Sequence, residues 1–399
     1  MILNTSWRQR AFDSIAQEAL TNSKRPSTFV NGVYPTHCKG GRGAKLLADG
    51  REFIDYYGAL GSNLFGYGNL EITQAITDAL KDGITHSMPT YYEVELAEAL
   101  KGIFRFTDLW KFGKNGSDVC AAALKIARAY SNRELVLSSD YHGIADDFVS
   151  LTPPALGVPS REWIKPLNDN LHRICEAAAV IIEPVVLDMS EKRREYLNYL
   201  RYECSRTGTL LIFDEIITGF RVPKFSVATM WGIEPDLILT GKAMGGGMPI
   251  SAIGGKKDVM ACGEYFYSGT FFGESLSIRA ALKAIEMLKT SKYSLDDLMT
   301  YGSDFMKRFN ELSVDVQIDG YGTRGAFKGD ALVKAQLWQE AVRAGIYFGP
   351  SWFFNFSLHE HTDLVINTCR DIFTRIKIGD VRLNGQLPRA TFAEKARAN

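Results

Sequence analysis

TLLIFDEIITGFRVPKFSVATMWGIEPDLILTGK, residues 209–242, contains two short apolar runs, and each stops on a charged side chain. The first reaches Asp214 and the second Lys242, 28 residues later. Runs of this length, rich in Leu and Ile, read as strands buried on both faces. Further runs lie on either side: ELVLSS (134–139), AAAVIIEPVV (177–186) and SAIGGK (251–256), with helical or loop segments between most of them. SEKRREYLNYLRYECSRTG (190–208) reads as one such helix, its Lys192–Arg194 cluster a solvated face. This alternation implies an α/β fold, a mostly parallel central sheet covered by helices on both faces.

Upstream, KLLADGREFIDYYGALGSNLFGYGN (45–69) reads as two strands turning at Asp49–Gly50, a hairpin signal. ITQAITDALKDG (72–83) and YEVELAEALKGIF (92–104) have helical spacing, and KFGKNGSDVCAAALKIARAYS (111–131) reads as strand, glycine turn and alanine-rich helix. SIRAALKAIEMLK carries an apolar stripe at 278, 281, 282, 285 and 288. Beyond about 295 the runs weaken. The expected organisation is an N-terminal segment, 1–45, that joins a small domain, a large domain at 46–290, and a smaller α+β domain at 291–399.

With 46% hydrophobic and 23% charged residues the composition is that of a soluble globular protein. Lys+Arg and Asp+Glu both number 46, so no basic excess points to nucleic acid. The six cysteines include no CxxC pair, which argues against a zinc site or a disulfide framework and fits a reducing cytoplasm. The first residues lack the apolar core of a signal peptide, and no stretch is long enough for a membrane helix. A soluble cytoplasmic protein is expected, with no nucleic-acid or membrane partner.

In open α/β sheets, ligands bind outside the carboxyl ends of the strands, so polar residues there are the candidates for chemistry. Asp214 closes a strongly apolar strand, where an unpaired carboxylate is costly and needs a cationic or hydrogen-bonding partner. That partner is either structural, such as Arg221, or a protonated ring nitrogen on a ligand. Lys242 is either a solvated strand end or an amine made nucleophilic by partial desolvation. A Walker loop is excluded on spacing, because Asp236 and Ala243 stand where a Gly and a Ser or Thr belong. Gly116 and Ser117 open the alanine-rich helix, which makes either an anion site or an ordinary N-cap. Thr270, in YSGTFFGES, lies in another small-residue turn before a helix. Tyr141-His142-Gly143 follows a strand, where an aromatic ring stacks on a flat ligand or packs in the core.

Taken together, a phosphate cradle, an aromatic platform, a buried acid and a lysine at successive strand ends describe a site for pyridoxal 5′-phosphate. The sequence also resembles the class III, fold-type I aminotransferases. IFDEIITGFR (212–221) and LTGKAMGGGMPISAIGG (239–255) are similar to that family's cofactor signature. KNGSDVCAAALKIARAY, DYHG, IIEPV and SGTFFGES match its other blocks, over roughly residues 40–290. The nearest subgroup in wording is the glutamate-1-semialdehyde aminomutases.

The resemblance implies that Lys242 forms the Schiff base with the cofactor aldehyde and that Asp214 keeps the pyridine nitrogen protonated. Gly116 and Ser117 would bind the phosphate. Tyr141 would stack on the ring with His142 alongside, and Ile216 would pack under it. Glu183 matches a glutamate on the substrate side. Thr270 matches a threonine that reaches the phosphate of the neighbouring subunit, which implies a homodimer. The partners would be a small-molecule amino donor, by default L-glutamate, and a carbonyl acceptor.

Some positions depart from the family pattern. Ile217 stands where many members have glutamine beside the cofactor hydroxyl. Thr28 and Leu60 stand where the aminomutases have a substrate-binding arginine and a tryptophan. The two at Thr28 and Leu60 favour amino transfer between molecules over 2,1-isomerisation. A PLP-binding protein without turnover is a third alternative, disfavoured because Lys242 and Asp214 are both retained. The aromatic-rich GIYFGPSWFFNFS (345–357) is either core or a wall for a bulkier acceptor, a sugar or sugar acid of cell-envelope polysaccharide. No metal site is expected, since His359 and His361 lack a third ligand.

Overall fold

The computed structural model describes residues 5–139, 141–152 and 155–390. Asp140, in the DYHG block, and the ends of the two terminal segments lie outside the described residues. The chain divides into two units, Leu70–Leu295 and the pair Met1–Asn69 with Asp296–Ala398.

Seven strands form the sheet of the Leu70–Leu295 unit: β1 (Leu109–Gly113), β2 (Leu135–Ser138), β3 (Ile164–Pro166), β4 (Ala177–Ile182), β5 (Leu210–Glu215), β6 (Leu237–Thr240) and β7 (Ser251–Gly255). Their spatial order is β1-β7-β6-β5-β4-β2-β3. Pairs β2–β3, β2–β4, β4–β5 and β5–β6 are parallel. β7 runs antiparallel to both of its neighbours, so six strands share one direction. β2 and β4 through β7 are buried along their whole length, which is why their sequences are continuous apolar runs rather than alternating ones. Each fully buried Val, Leu or Ile contributes about 1.5–3 kcal/mol.

Helices cover the sheet where local sequence starts and stops them. α1 (Leu70–Leu80) and α2 (Tyr91–Ile103) precede β1, and Thr90 and Glu93 form a capping box at the start of α2. α3 (Gly116–Ser131) follows β1; Asn115 and Asp118 cap its start, and Asn132 ends it at φ +54°. Val119, Cys120, Ala123, Leu124 and Ile126 of α3 pack with Ile181, Ile212, Leu239 and Ile253 of the sheet. α4 (Glu191–Thr207) is capped by Ser190 and stopped by Gly208 at φ +68°. α5 (Ser275–Leu288) buries Ile278, Ala281, Ile285 and Leu288, four of the five stripe positions.

In the other unit, Lys45–Ala48 and Arg51–Asp55 form the expected hairpin, with Asp49 and Gly50 at φ +52° and +72°. Arg51–Asp55 pairs parallel with Ile346–Tyr347, so residues 46–69 lie in this unit with the C-terminal segment. A second sheet joins Val316–Tyr321, Arg324–Gly329 and Ser351–Trp352. The aromatic stretch is core: Phe348, Trp352 and Phe354 are fully buried and pack with Tyr56, Phe305 and Phe309. Phe353 is buried too, so these four rings form no wall for a bulky acceptor, while Tyr347 and Phe356 of the same stretch are partly exposed.

Candidate active site

The parallel register lines up the strand ends. Ile182 of β4 lies beside Phe213 of β5, and Asp214 lies beside Leu239 of β6. Glu183 therefore leaves β4 next to Asp214, and Lys242 follows β6 by two residues. Side chains alternate along a strand. Ile212 and Asp214 thus share the face that packs on α3, while Phe213 and Glu215 point to the other.

Asp214 is only 7% exposed. One carboxylate oxygen, Oδ2, lies 2.7 Å from Nδ1 of fully buried His142 and 3.8 Å from the Cys120 thiol. The other, Oδ1, accepts the Ile216 N–H at 3.1 Å. The partner that the buried acid requires is thus a histidine. Nε2 of His142 lies 3.4 Å from the Ser139 hydroxyl, and its ring meets Phe148 edge-on. Tyr141, directly before it, is 44% exposed, and its phenol is raised by burial, then by Cys120 and Asp214. A partly exposed ring beside a buried histidine leaves a face for a planar ligand.

Gly116 is the first residue of α3. A Cβ there would come within 3.2 Å of Ile216, and one on Gly241 within 3.4 Å of the same side chain. Ile216 thus bridges the start of α3 to the residue before Lys242. The Ser117 hydroxyl accepts the Ile144 N–H at 3.0 Å. Gly143 sits at φ +101°, and a Cβ on it would fall 2.4 Å from that hydroxyl oxygen. No other residue type fits where this loop crosses the helix start. Lys242 opens the short turn Lys242–Gly245, is partly buried, and has φ +41°. A non-glycine residue with positive φ is uncommon and concentrates at functional sites.

Direct contacts thus join Asp214, His142, Ile216 and Gly116; Ser117 meets Gly143 and Ile144, which follow His142, and Tyr141 and Lys242 follow by chain adjacency. Glu183 is partly exposed, and its carbonyl accepts from Arg193 at 2.9 Å, as that of Pro184 does at 2.8 Å. Thr270 is exposed, on the stretch between β7 and α5. Tyr267 tethers that stretch through its hydroxyl on the Phe112 carbonyl, 2.9 Å.

Two groups of the site escape sequence reasoning. Cys120 lies four residues after Gly116, so the same helical face that faces the sheet brings its thiol to Asp214. That offset was the available signal. The ion pair between Lys114 and Glu274, with Ser277 at 3.0 Å from the Lys114 ammonium, ties the loop before the cradle to the start of α5. Only distant sequence contributes to it, and no local pattern announces it.

The residues fit the expected group. Free N–H groups at a helix start suit a phosphate. Glycines at 116, 143 and 241 let Ile216, Ser117 and Ile250 pack closely around the helix start, and a buried carboxylate with one neighbouring imidazole suits a protonated ring nitrogen.

A model of the class III aminotransferases matches residues 159–353. The glutamate-1-semialdehyde 2,1-aminomutase of Methylacidiphilum infernorum is 30% identical over 311 residues, 70% of this chain and 71% of the relative. That of Alkaliphilus oremlandii is 28% identical and covers 87% of this chain and 95% of the relative. Among solved structures, the PLP-containing FumI protein of Sphingopyxis sp. MTA144 has a TM-score of 0.88 at 25% identity, covering 96% of this chain and 98% of that one. A glutamate-1-semialdehyde aminomutase from Pseudomonas aeruginosa PAO1 has a TM-score of 0.80 at 17% identity, covering 94% of each chain.

Proposed function

This chain belongs to the class III aminotransferases, and from that premise we propose that Lys242, Asp214 and the Gly116 cradle hold its cofactor for amino transfer from a small-molecule donor to an aldehyde or ketone acceptor. The enzyme is a PLP-dependent transaminase of fold type I. The observation that carries the residue assignment is Asp214: a carboxylate buried at a strand end, held by His142 and Ile216, and in register with the strand that leads to Lys242.

Bound PLP supplies an electron sink for the charge left when a substrate carbon loses its proton. The chain's residues supply the rest. Asp214 keeps a proton on the ring nitrogen, and His142 holds that carboxylate in place. Backbone N–H groups at Gly116 and Ser117 take the phosphate. Tyr141 offers the stacking face and Ile216 the opposite support. Lys242 would hold the group through its side-chain amine and, as a base, would move a proton at the substrate carbon. Glu183 stands on the substrate side. L-glutamate is the default donor. The exposed position of Thr270 supports its use by a second copy in a homodimer, and six free cysteines support a cytoplasmic setting.

A second reading, 2,1-aminomutase, is favoured by the names of the relatives. Against it, Thr28 stands at the expected arginine position, with its hydroxyl donated to the Arg25 and Ser23 carbonyls at 2.8 and 3.2 Å. Leu60, at the tryptophan position, sits in a turn with φ +59°.

The test is to mix the PLP-loaded protein with single amino donors and follow the cofactor absorbance, then add carbonyl acceptors. Donor-dependent conversion that an acceptor reverses is expected. Turnover of an amino-aldehyde with no donor present would establish the isomerase instead.

A further inference from the structure

We propose that Glu215 is a positioning residue, whose carboxylate staples the loop 216–226 and thereby sets Ile216 and the turn that carries Lys242. The proposal rests on the reading of Lys242 and Asp214 given above.

Glu215 is fully buried at the end of β5, on the face opposite Asp214, and takes no direct part in the chemistry. Its Oε2 accepts the Thr218 hydroxyl at 2.9 Å and the Val227 N–H at 2.8 Å, and its Oε1 accepts the Ala228 N–H at 2.8 Å. One side chain therefore pins both ends of the loop. An N–H without this acceptor would be buried unsatisfied.

The loop needs such a fastening. Phe220, Lys224 and Phe225 have φ of +61°, +56° and +68°, a conformation that β-carbons disfavour. It closes through Phe220 N–H on the Phe225 carbonyl at 2.8 Å and Gly219 N–H on the Glu215 carbonyl at 2.8 Å. Backbone held in a disfavoured region persists only where the surroundings over-determine it.

Two contacts carry the loop's position into the site. A Cβ on Gly219 would fall 2.6 Å from the Thr240 hydroxyl, so the loop presses on the last residue of β6, two before Lys242. Ile216 begins the loop, donates its N–H to Asp214, and lies against Gly116 and Gly241. Loosening residues 216–226 therefore frees the ring support and the lysine turn together. Burial pushes the Glu215 carboxyl up to about 7 against the pull of its three donors.

The test compares Glu215→Gln and Thr218→Val with the unaltered chain. Amide hydrogen exchange on the apo protein is expected to quicken at Val227 and Ala228 in Glu215→Gln. Its PLP dissociation constant should rise about tenfold or more, with kcat falling similarly and the donor KM changing less than about threefold. Thr218→Val, which removes one donor only, should shift the same quantities in the same direction by about two- to fivefold. If Glu215→Gln does not fold, Thr218→Val decides alone. Unchanged exchange and PLP affinity in the folded variants would overturn the staple. Lys242→Ala in the same series reports on the cofactor assignment independently, through loss of covalent PLP.

Discussion

Between Thr209 and Gly247 the chain sets polar groups at strand ends, and between Gly345 and Ser357 it sets aromatic rings, each dense enough in sequence to suggest a binding surface. The first region keeps its chemistry partly available. Asp214 has donors on both oxygens yet stays 7% exposed, and Lys242 and Tyr141 are only partly buried. The second closes on itself, with Phe348, Trp352 and Phe354 fully buried among other rings. The lesson is that aromatic density is consumed by a core, whereas a charged side chain that ends an apolar strand cannot be left there unpaired. It must find a partner, and the partners draw a site together.

Lys242→Ala gives the largest contrast. Steady-state turnover should fall by roughly 10²–10⁴-fold, the usual worth of a positioned proton-transfer group, with an unchanged melting temperature. A fall in melting temperature matching the loss of turnover would make the lysine structural. Phe354→Ala inverts the pattern. Denaturant unfolding should show a loss of about 3–5 kcal/mol from a truncated core aromatic. The pH at which the bound cofactor's absorbance changes should stay put, since no group of the strand-end cluster is altered. Asp214→Asn keeps the shape of the His142 contact but removes the charge. Turnover should fall roughly 10²–10³-fold, as when an electrostatic group aimed at developing charge is lost. The cofactor absorbance should then titrate at a different pH.

The smallest expected effect concerns Glu215. Its folded carboxyl is raised from the ordinary 4.5 to about 7. Across that window the folded chain keeps a proton that the unfolded chain has released. Its contribution to stability therefore falls as pH rises from about 4.5 to about 7, and is flat above. The gap of about 2.5 pH units, at about 1.4 kcal/mol each, sets an upper bound of about 3.5 kcal/mol. Unfolding free energies of Glu215→Gln measured across that window should lack this descent. A descent of equal size in the variant assigns it to another group.

Much of this was legible in the sequence, for physical reasons that can be named. Asp49–Gly50 announced its hairpin because both residues tolerate positive φ. β2, β4, β5 and β6 were legible because burial on both faces demands continuous apolar runs. β3, only three residues at the sheet edge, carries too short a pattern to detect. The antiparallel course of β7 was hidden because composition does not encode strand direction. In the site, Asp214 and Lys242 stood out by being charged at the end of apolar strands. Glu215 did not, although it is more deeply buried, because it reads as one more polar residue after the strand. Of its donors, Thr218 lies within the loop and Val227 and Ala228 follow it, and no local spacing fixes that loop's path.

The contrast between the two regions rests on the proposal that Lys242 is the amine that holds the cofactor. Borohydride reduction of the PLP-loaded protein, followed by digestion and mass analysis of the peptides, tests it most directly. One modified lysine is expected, residue 242, in the peptide that carries LILTGKAMGGGMP. A stable label on a different lysine, or none at all in protein that has bound PLP, contradicts it.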